Sequence, residues 1–192
     1  QQAATHYKLA LKHNLHHEDA MYELAYCLDM TGELEDSLAY YQQFIDQDPF
    51  STQAWYNLGI VYNKLEKYDE AVSAYEYATL IDDTFASAHF NTGNSYMNLK
   101  QYEKAYEAYK KTHEIEGGNA ETYCCMASAL EKMEVYDKAT KLYYKAVKLD
   151  EEYDEAWFGI GTCLHRQERW FEATHALRKA IRLNDENYLY WY

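Results

Sequence analysis

The feature that most limits how this chain can fold is a recurrence. "AWYNLGIVY" at Ala54–Tyr62 returns as "AWFGIGTCL" at Ala156–Leu164, 102 residues later. That interval is three times 34, and weaker copies fill the space between. Stepping by 34 from Trp55 reaches His89, Tyr123, Trp157 and Trp191, and stepping back reaches Met21. Gly59 maps onto Ala25, Gly93, Ala127 and Gly161, and Ala71 onto Ser37, Ala105, Ala139 and Ala173. Tyr75 maps onto Tyr41, Tyr109, Tyr143 and Leu177. No insertion breaks the register. A fixed period of this length means one supersecondary unit that stacks on copies of itself.

Residues 52–85 show what the unit contains. Trp55, Leu58, Gly59 and Tyr62 form one set at three-and-four spacing, and Ala71, Tyr75 and Ala78 form a second. Each set marks an amphipathic helix. "KLEKY" between them reads as a polar turn carrying Tyr68. Small residues in the Gly59 and Ala71 slots let the two helices cross closely. Neither helix can bury its apolar face alone, so neighbouring units must stack.

Trp55, Leu58, Gly59, Tyr62, Ala71 and Tyr75 match the W-x2-L-G-x2-Y…A-x3-F signature, so the chain resembles the tetratricopeptide repeat family. The resemblance covers the whole chain and implies an all-α, right-handed superhelical solenoid. The expected division is 18–51, 52–85, 86–119, 120–153 and 154–187, with 1–17 as the second helix of a preceding repeat and 188–192 opening a further one. Both ends fall within a repeat, as expected of a piece of a longer protein. The Pro that usually closes the repeat is present only as Pro49, and Asp83, Gly117, Glu151 and Asp185 hold its other slots. His89, in a Trp slot, is expected to loosen its joint.

Net charge is −14, with −9 of it in residues 18–51, which contain no Lys or Arg. Nucleic-acid binding needs a basic stripe, so that class is set aside. A basic partner suits the acidic start, with steering that weakens in salt. No apolar run reaches the length of a membrane span. Cys27 and Cys163 share a slot four repeats apart, and Cys124 and Cys125 are adjacent on one helix. No disulfide framework or zinc pattern results. Free thiols favour a reducing compartment and place the chain in the cytoplasm as an expectation.

In the resembled family the first helices of successive repeats line a concave groove, which implies a peptide-binding face here. The slots concerned place Tyr22, Glu23 and Tyr26 on the first repeat, beside Asp19, Asp29 and Met30. The second repeat supplies Tyr56, Asn57, Ile60, Asn63 and Lys64, and the third Phe90, Asn91, Asn94 and Asn98. The fourth supplies Cys125, beside Cys124 and Glu131, and the last Phe158, Thr162, His165 and Arg166. Aromatic rings recur in the fifth slot, and aromatics favour binding hot spots. The amides at Asn57, Asn63, Asn91, Asn94 and Asn98 carry both donors and an acceptor for peptide backbone. Asn57 and Asn91 are similar to the asparagine ladder of O-linked N-acetylglucosamine transferases. The two-carboxylate clamp of chaperone-binding members is absent, because only Asn57, Asn91 or Asn94 fits in each register and the clamp cations are missing.

Other groups point nowhere specific. "HNLHH" offers His13, His16 and His17 at the end of a helix, where metal binding competes with a helix-end role. No nucleophile set, phosphate loop or paired catalytic carboxylates emerge, so an enzyme is not expected, nor is a cofactor. The expectation is an interaction module that binds a peptide or protein segment. The alternatives are a structural scaffold that self-associates through its terminal repeats, where Tyr188, Tyr190 and Trp191 lie, and a regulatory arm of a larger enzyme.

Overall fold

The computed structural model describes residues 2–13 and 17–187, with side chains for 5–10, 17 and 19–187. The tail aromatics Tyr188, Tyr190 and Trp191, and the side chains of His13 and His16, lie outside the described residues. Every regular element among the described residues is an α-helix. The chain divides into two compact units, Gln1–Leu99 and Lys100–Tyr192. The first holds α1 (Gln2–His13), α2 (Glu18–Thr31), α3 (Leu34–Gln47), α4 (Thr52–Lys64), α5 (Tyr68–Ile81) and α6 (Ala86–Asn98). The second holds α7 (Tyr102–Glu116), α8 (Ala120–Lys132), α9 (Tyr136–Leu149), α10 (Asp154–Arg166) and α11 (Trp170–Leu183).

Within each unit every helix packs on the next, and alternate helices also touch: α2 with α4, α4 with α6, and α8 with α10. The crossings fall at the small slots. Ser37, in the slot that is Ala elsewhere, is fully buried and donates its hydroxyl to Ala25 O at 2.7 Å. Leu24, Leu28, Tyr41, Leu58 and Val61 form the core of the first unit, with Tyr75 in a smaller cluster beside it. Tyr143, Ile160, Cys163 and Leu164 centre the core of the second. The Tyr75 column, Tyr41, Tyr75, Tyr109 and Tyr143, is buried throughout.

The turns obey the same 34-residue period. Gly32 and four non-glycine residues, Glu66, Lys100, Glu134 and Glu168, all have φ near +60° to +80°. The helix before each of four of these turns ends with a six-to-one bond: Glu33 N to Leu28 O, Lys67 N to Tyr62 O, Val135 N to Leu130 O and Arg169 N to Leu164 O, all 2.9 Å. This is the left-handed helix stop that glycine normally serves. A side chain there costs about 1–2 kcal/mol, partly offset because glycine loosens the unfolded chain. Glu134→Gly should therefore raise stability by about 0.5 kcal/mol, and Gly32→Ala should lower it by about 1 kcal/mol. Urea midpoints of the two variants check both signs.

The repeat-closing slots work through other bonds. The Trp55 indole donates to Pro49 O and the Trp157 indole to Glu151 O, both at 2.9 Å. His89 keeps this link, its Nε2 lying 3.2 Å from Asp83 O. The joint expected to be loose therefore retains the bond of its Trp counterparts. The closing turns are also tied by Asp48, Asp82 and Asp150, which accept from the backbone N–H two residues on.

Candidate functional site

In the first unit, α2, α4 and α6 present the fifth- and sixth-slot residues side by side. The Asn57 amide donates to the Tyr22 hydroxyl at 2.9 Å, and the Asn91 amide donates to the Tyr56 hydroxyl at 3.0 Å. Each link spans 35 residues, one more than the repeat, so it runs diagonally from one first helix to the next. The rings are braced from below. Tyr22 meets Tyr41 edge-on at 5.8 Å and Phe44 at 5.5 Å, and Tyr56 meets Tyr75 at 5.7 Å and Phe85 at 4.8 Å. Burial raises the Tyr22 and Tyr56 phenols above their ordinary value, and the asparagine amides pull them partly back.

The other first-unit candidates divide by partner. Asn63 donates to the buried Tyr75 hydroxyl at 3.0 Å and accepts from Ser95 at 2.9 Å. Asn91 accepts from Asn94 at 3.4 Å, and Asn98 donates to Asn94 O at 3.0 Å. Asn63 thus links α4 to both α5 and α6, whereas the bonds of Asn94 and Asn98 stay within α6. Lys64 pairs with Asp29 at 2.6 Å, again across 35 residues, and the Asp29 carboxylate is only 11% exposed. Asp29 is therefore engaged within the unit, while Asp19 stays exposed and Glu23 half-buried. Tyr26 is 47% exposed, and Ile60 and Phe90 are half-buried.

The second unit builds its face differently. Gly159 replaces the asparagine of the sixth slot, and the Tyr143 ring fills the room left by its missing Cβ. Glu131 takes the place of Asn63: its carboxylate accepts from the Tyr143 hydroxyl at 2.8 Å and from Thr162 at 3.2 Å. A pocket of about 320 Å³ lies here, lined among others by Cys125, Glu131, Tyr153, Glu155 and Phe158. Burial pushes the Cys125 thiol up to about 12, with Glu121 and Glu155 adding to the effect, so it is a neutral thiol at physiological pH. His165 stands edge-on to Trp170 at 4.8 Å, and both His165 and Arg166 are exposed. Cys27, Cys124, Cys125 and Cys163 are all free thiols.

His17 serves as the N-cap of α2, its Nδ1 accepting from Ala20 N at 3.3 Å. Among the described residues no cluster of His, Cys, Asp or Glu could hold a metal ion. None of the described helices is long and apolar enough to cross a membrane.

With this geometry in hand, the chain can be set beside known proteins. The tetratricopeptide repeat family matches residues 1–52, 31–87 and 126–188, and a second profile of the same family matches 86–119. The chain belongs to the tetratricopeptide repeat family and is an all-α solenoid of helix-turn-helix repeats. It is similar to the crystal structure of YrrB, described as a TPR protein with an unusual peptide-binding site. The TM-score is 0.82 at 22% identity, over 96% of this chain and 95% of that one. It is also similar to MamA from Desulfovibrio magneticus RS-1, with a TM-score of 0.83 at 19% identity, over 88% and 96% of the two chains. A further MamA crystal structure gives a TM-score of 0.81 at 18% identity, over 85% and 95%. No curated protein matches the sequence.

Proposed function

We propose that this chain is a protein-interaction module, without catalytic chemistry of its own, that holds an extended peptide segment against its first-helix faces. The observation that carries this is the repeated diagonal link, Tyr22 to Asn57 and Tyr56 to Asn91. Rings fixed by a hydrogen bond lose little freedom when a ligand lands on them, and such preorganisation favours binding. Phe90, Asn94 and Asn98 continue the same face on α6. The unusual peptide-binding site reported for YrrB, which shares the fold, supports the reading. Asp19 and Glu23 turn the α2 end toward a basic portion of the peptide; the second unit, taken by itself, offers a pocket beside Phe158.

The test uses peptides selected from a displayed random library on the wild-type protein. The Asn57→Ala/Asn91→Ala/Phe90→Ala triple variant, with its helical circular dichroism retained, should bind them about tenfold or more weakly. Asp19→Lys/Glu23→Lys should weaken the basic ones mainly at low salt. Equal affinity in the triple variant would refute the peptide face. A second reading, a scaffold that self-associates through its last repeat, is favoured by Phe171, 89% exposed beside Trp170 at 55% on α11. Sedimentation that changes with concentration in the wild type but not in Phe171→Glu would select it.

A further inference from the structure

The face of α4 opposite the peptide face carries a second concavity. A pocket of about 500 Å³ lies there, walled by Trp55 and Tyr62 of α4, Tyr77 and Glu70 of α5, and Asp46 of α3. Trp55 and Tyr77 stack with centroids 4.5 Å apart and planes 21° off parallel. Gln42 holds Tyr62 in place by donating to its hydroxyl at 2.9 Å. Asp46, Glu70 and Tyr77 are exposed, and no residue lining the pocket is basic.

The chain's other repeats indicate what this position binds. Lys145 sits over the Tyr123 ring at 5.2 Å, and Lys179 over the Trp157 ring at 5.6 Å. Both pairs occupy the Trp55 and Tyr77 slots of their own repeats, 68 and 102 residues further on. Trp157 is anchored by the same indole-to-carbonyl bond as Trp55, six residues back in each case. In two repeats, then, an internal ammonium covers the aromatic ring of this slot. In residues 52–85 the lysine is replaced by Tyr77, which adds a second ring, while the helix beneath contributes Asp46.

We propose that this pocket binds the ammonium of a lysine side chain carried by a basic segment of a partner protein. The rings offer the negative faces that the Trp55–Tyr77 stack leaves uncovered, and Asp46 and Glu70 supply the counter-charge. The pocket lies on the far side of α4 from the peptide face, so a partner can engage both. The proposal stands whether or not the peptide face does.

The test follows the indole N–H resonances of ¹⁵N-labelled protein, with Trp55 assigned through Trp55→Phe. The probes are a blocked hexalysine peptide, the same peptide with every side chain acetylated, and hexa-arginine. Hexalysine should move the Trp55 resonance saturably, and the acetylated peptide should not. Affinity read at Trp55 should fall about tenfold in Asp46→Asn/Glu70→Gln, where both counter-charges go while the helices keep their packing. Tyr77→Lys restores the internal arrangement of the other repeats. It should shift the Trp55 resonance without peptide and abolish the response to hexalysine. The Asn57→Ala/Asn91→Ala/Phe90→Ala variant should respond like wild type, which separates this pocket from the peptide face. An unmoved Trp55 resonance, an equal response to the acetylated peptide, or unchanged binding by Tyr77→Lys overturns the proposal. Tighter binding of hexa-arginine overturns the choice of lysine.

Discussion

Raising the pH above about 9 should unfold this protein steeply, and the Lys100–Tyr192 unit should go first. Tyr41, Tyr75, Tyr109 and Tyr143 are at most 3% exposed. Burial raises each phenol well above the ordinary value of 10.0, and in Tyr143 the Glu131 carboxylate adds to the effect. Cys124, Cys125 and Cys163 are raised in the same way from 9.0. The sign follows from the proton count. Below the ordinary values both states hold their protons, so the full stability is present. Above them the unfolded chain ionises and the folded one does not, so stability falls until the folded groups titrate. Each group removes about 1.4 kcal/mol per pH unit. The two tyrosines of each unit together remove about 3 kcal/mol per pH unit, and the three cysteines of the second add about 4, against a domain stability of about 5–15 kcal/mol. The three cysteines all lie in the second unit and begin one unit lower, hence the order. Helical circular dichroism should fall in step with a burst of tyrosinate absorbance. Tyr143→Phe should make the fall shallower, whatever the loss of its bond to Glu131 does at neutral pH. Smooth ionisation of all 22 tyrosines with the helices intact would contradict the argument.

What was legible in the sequence was whatever repeats in register. The helices, their crossings at Ser37 and Ala25, and the buried tyrosine column follow from slots that recur every 34 residues, because one packing problem is solved repeatedly. The contacts across the first-helix face were not legible in that way. Tyr22 to Asn57, Tyr56 to Asn91 and Asp29 to Lys64 each span 35 residues, so each joins one slot of a first helix to the following slot of the next first helix. Comparing slot five with slot five shows aromatics, and slot six with slot six shows scattered amides. Only the diagonal comparison joins them. Asp29 and Lys64 accordingly read as separate groove charges when they are one ion pair. The aromatic pocket was hidden for a related reason, because Trp55 looks like an ordinary stacking residue until Tyr77 is compared with Lys145 and Lys179. The left-handed turns at Glu66, Lys100, Glu134 and Glu168 carry no glycine to announce them.

Gly159→Ala should be among the most damaging small substitutions in the chain, although alanine is the better helix former. In mid-helix the exchange alone is worth about 1 kcal/mol in favour of alanine. At Gly159, however, a Cβ would be driven into the Tyr143 ring, which is 3% exposed and held by its bond to Glu131. Neither partner can retreat. The ring is packed in the core of the second unit with Ile160 and Cys163, and α10 is fixed against α9 and α11. Overpacking of this kind costs about 1–3 kcal/mol, which exceeds the propensity gain over most of that range, and Gly159→Val should cost more still. The same clash awaits Gly59, where a Cβ would stand 2.5 Å from the Tyr75 ring. The decisive measurement is a double-mutant cycle in urea. Tyr143→Leu alone should destabilise by opening a cavity and removing one of the two donors to Glu131. Combined with Gly159→Ala it should cost less than the sum of the two, because the smaller side chain leaves room for the methyl. Strict additivity would mean that the glycine is there for some reason other than the ring. A sub-additive pair would show that the glycine is needed to seat the Tyr143 ring against α10.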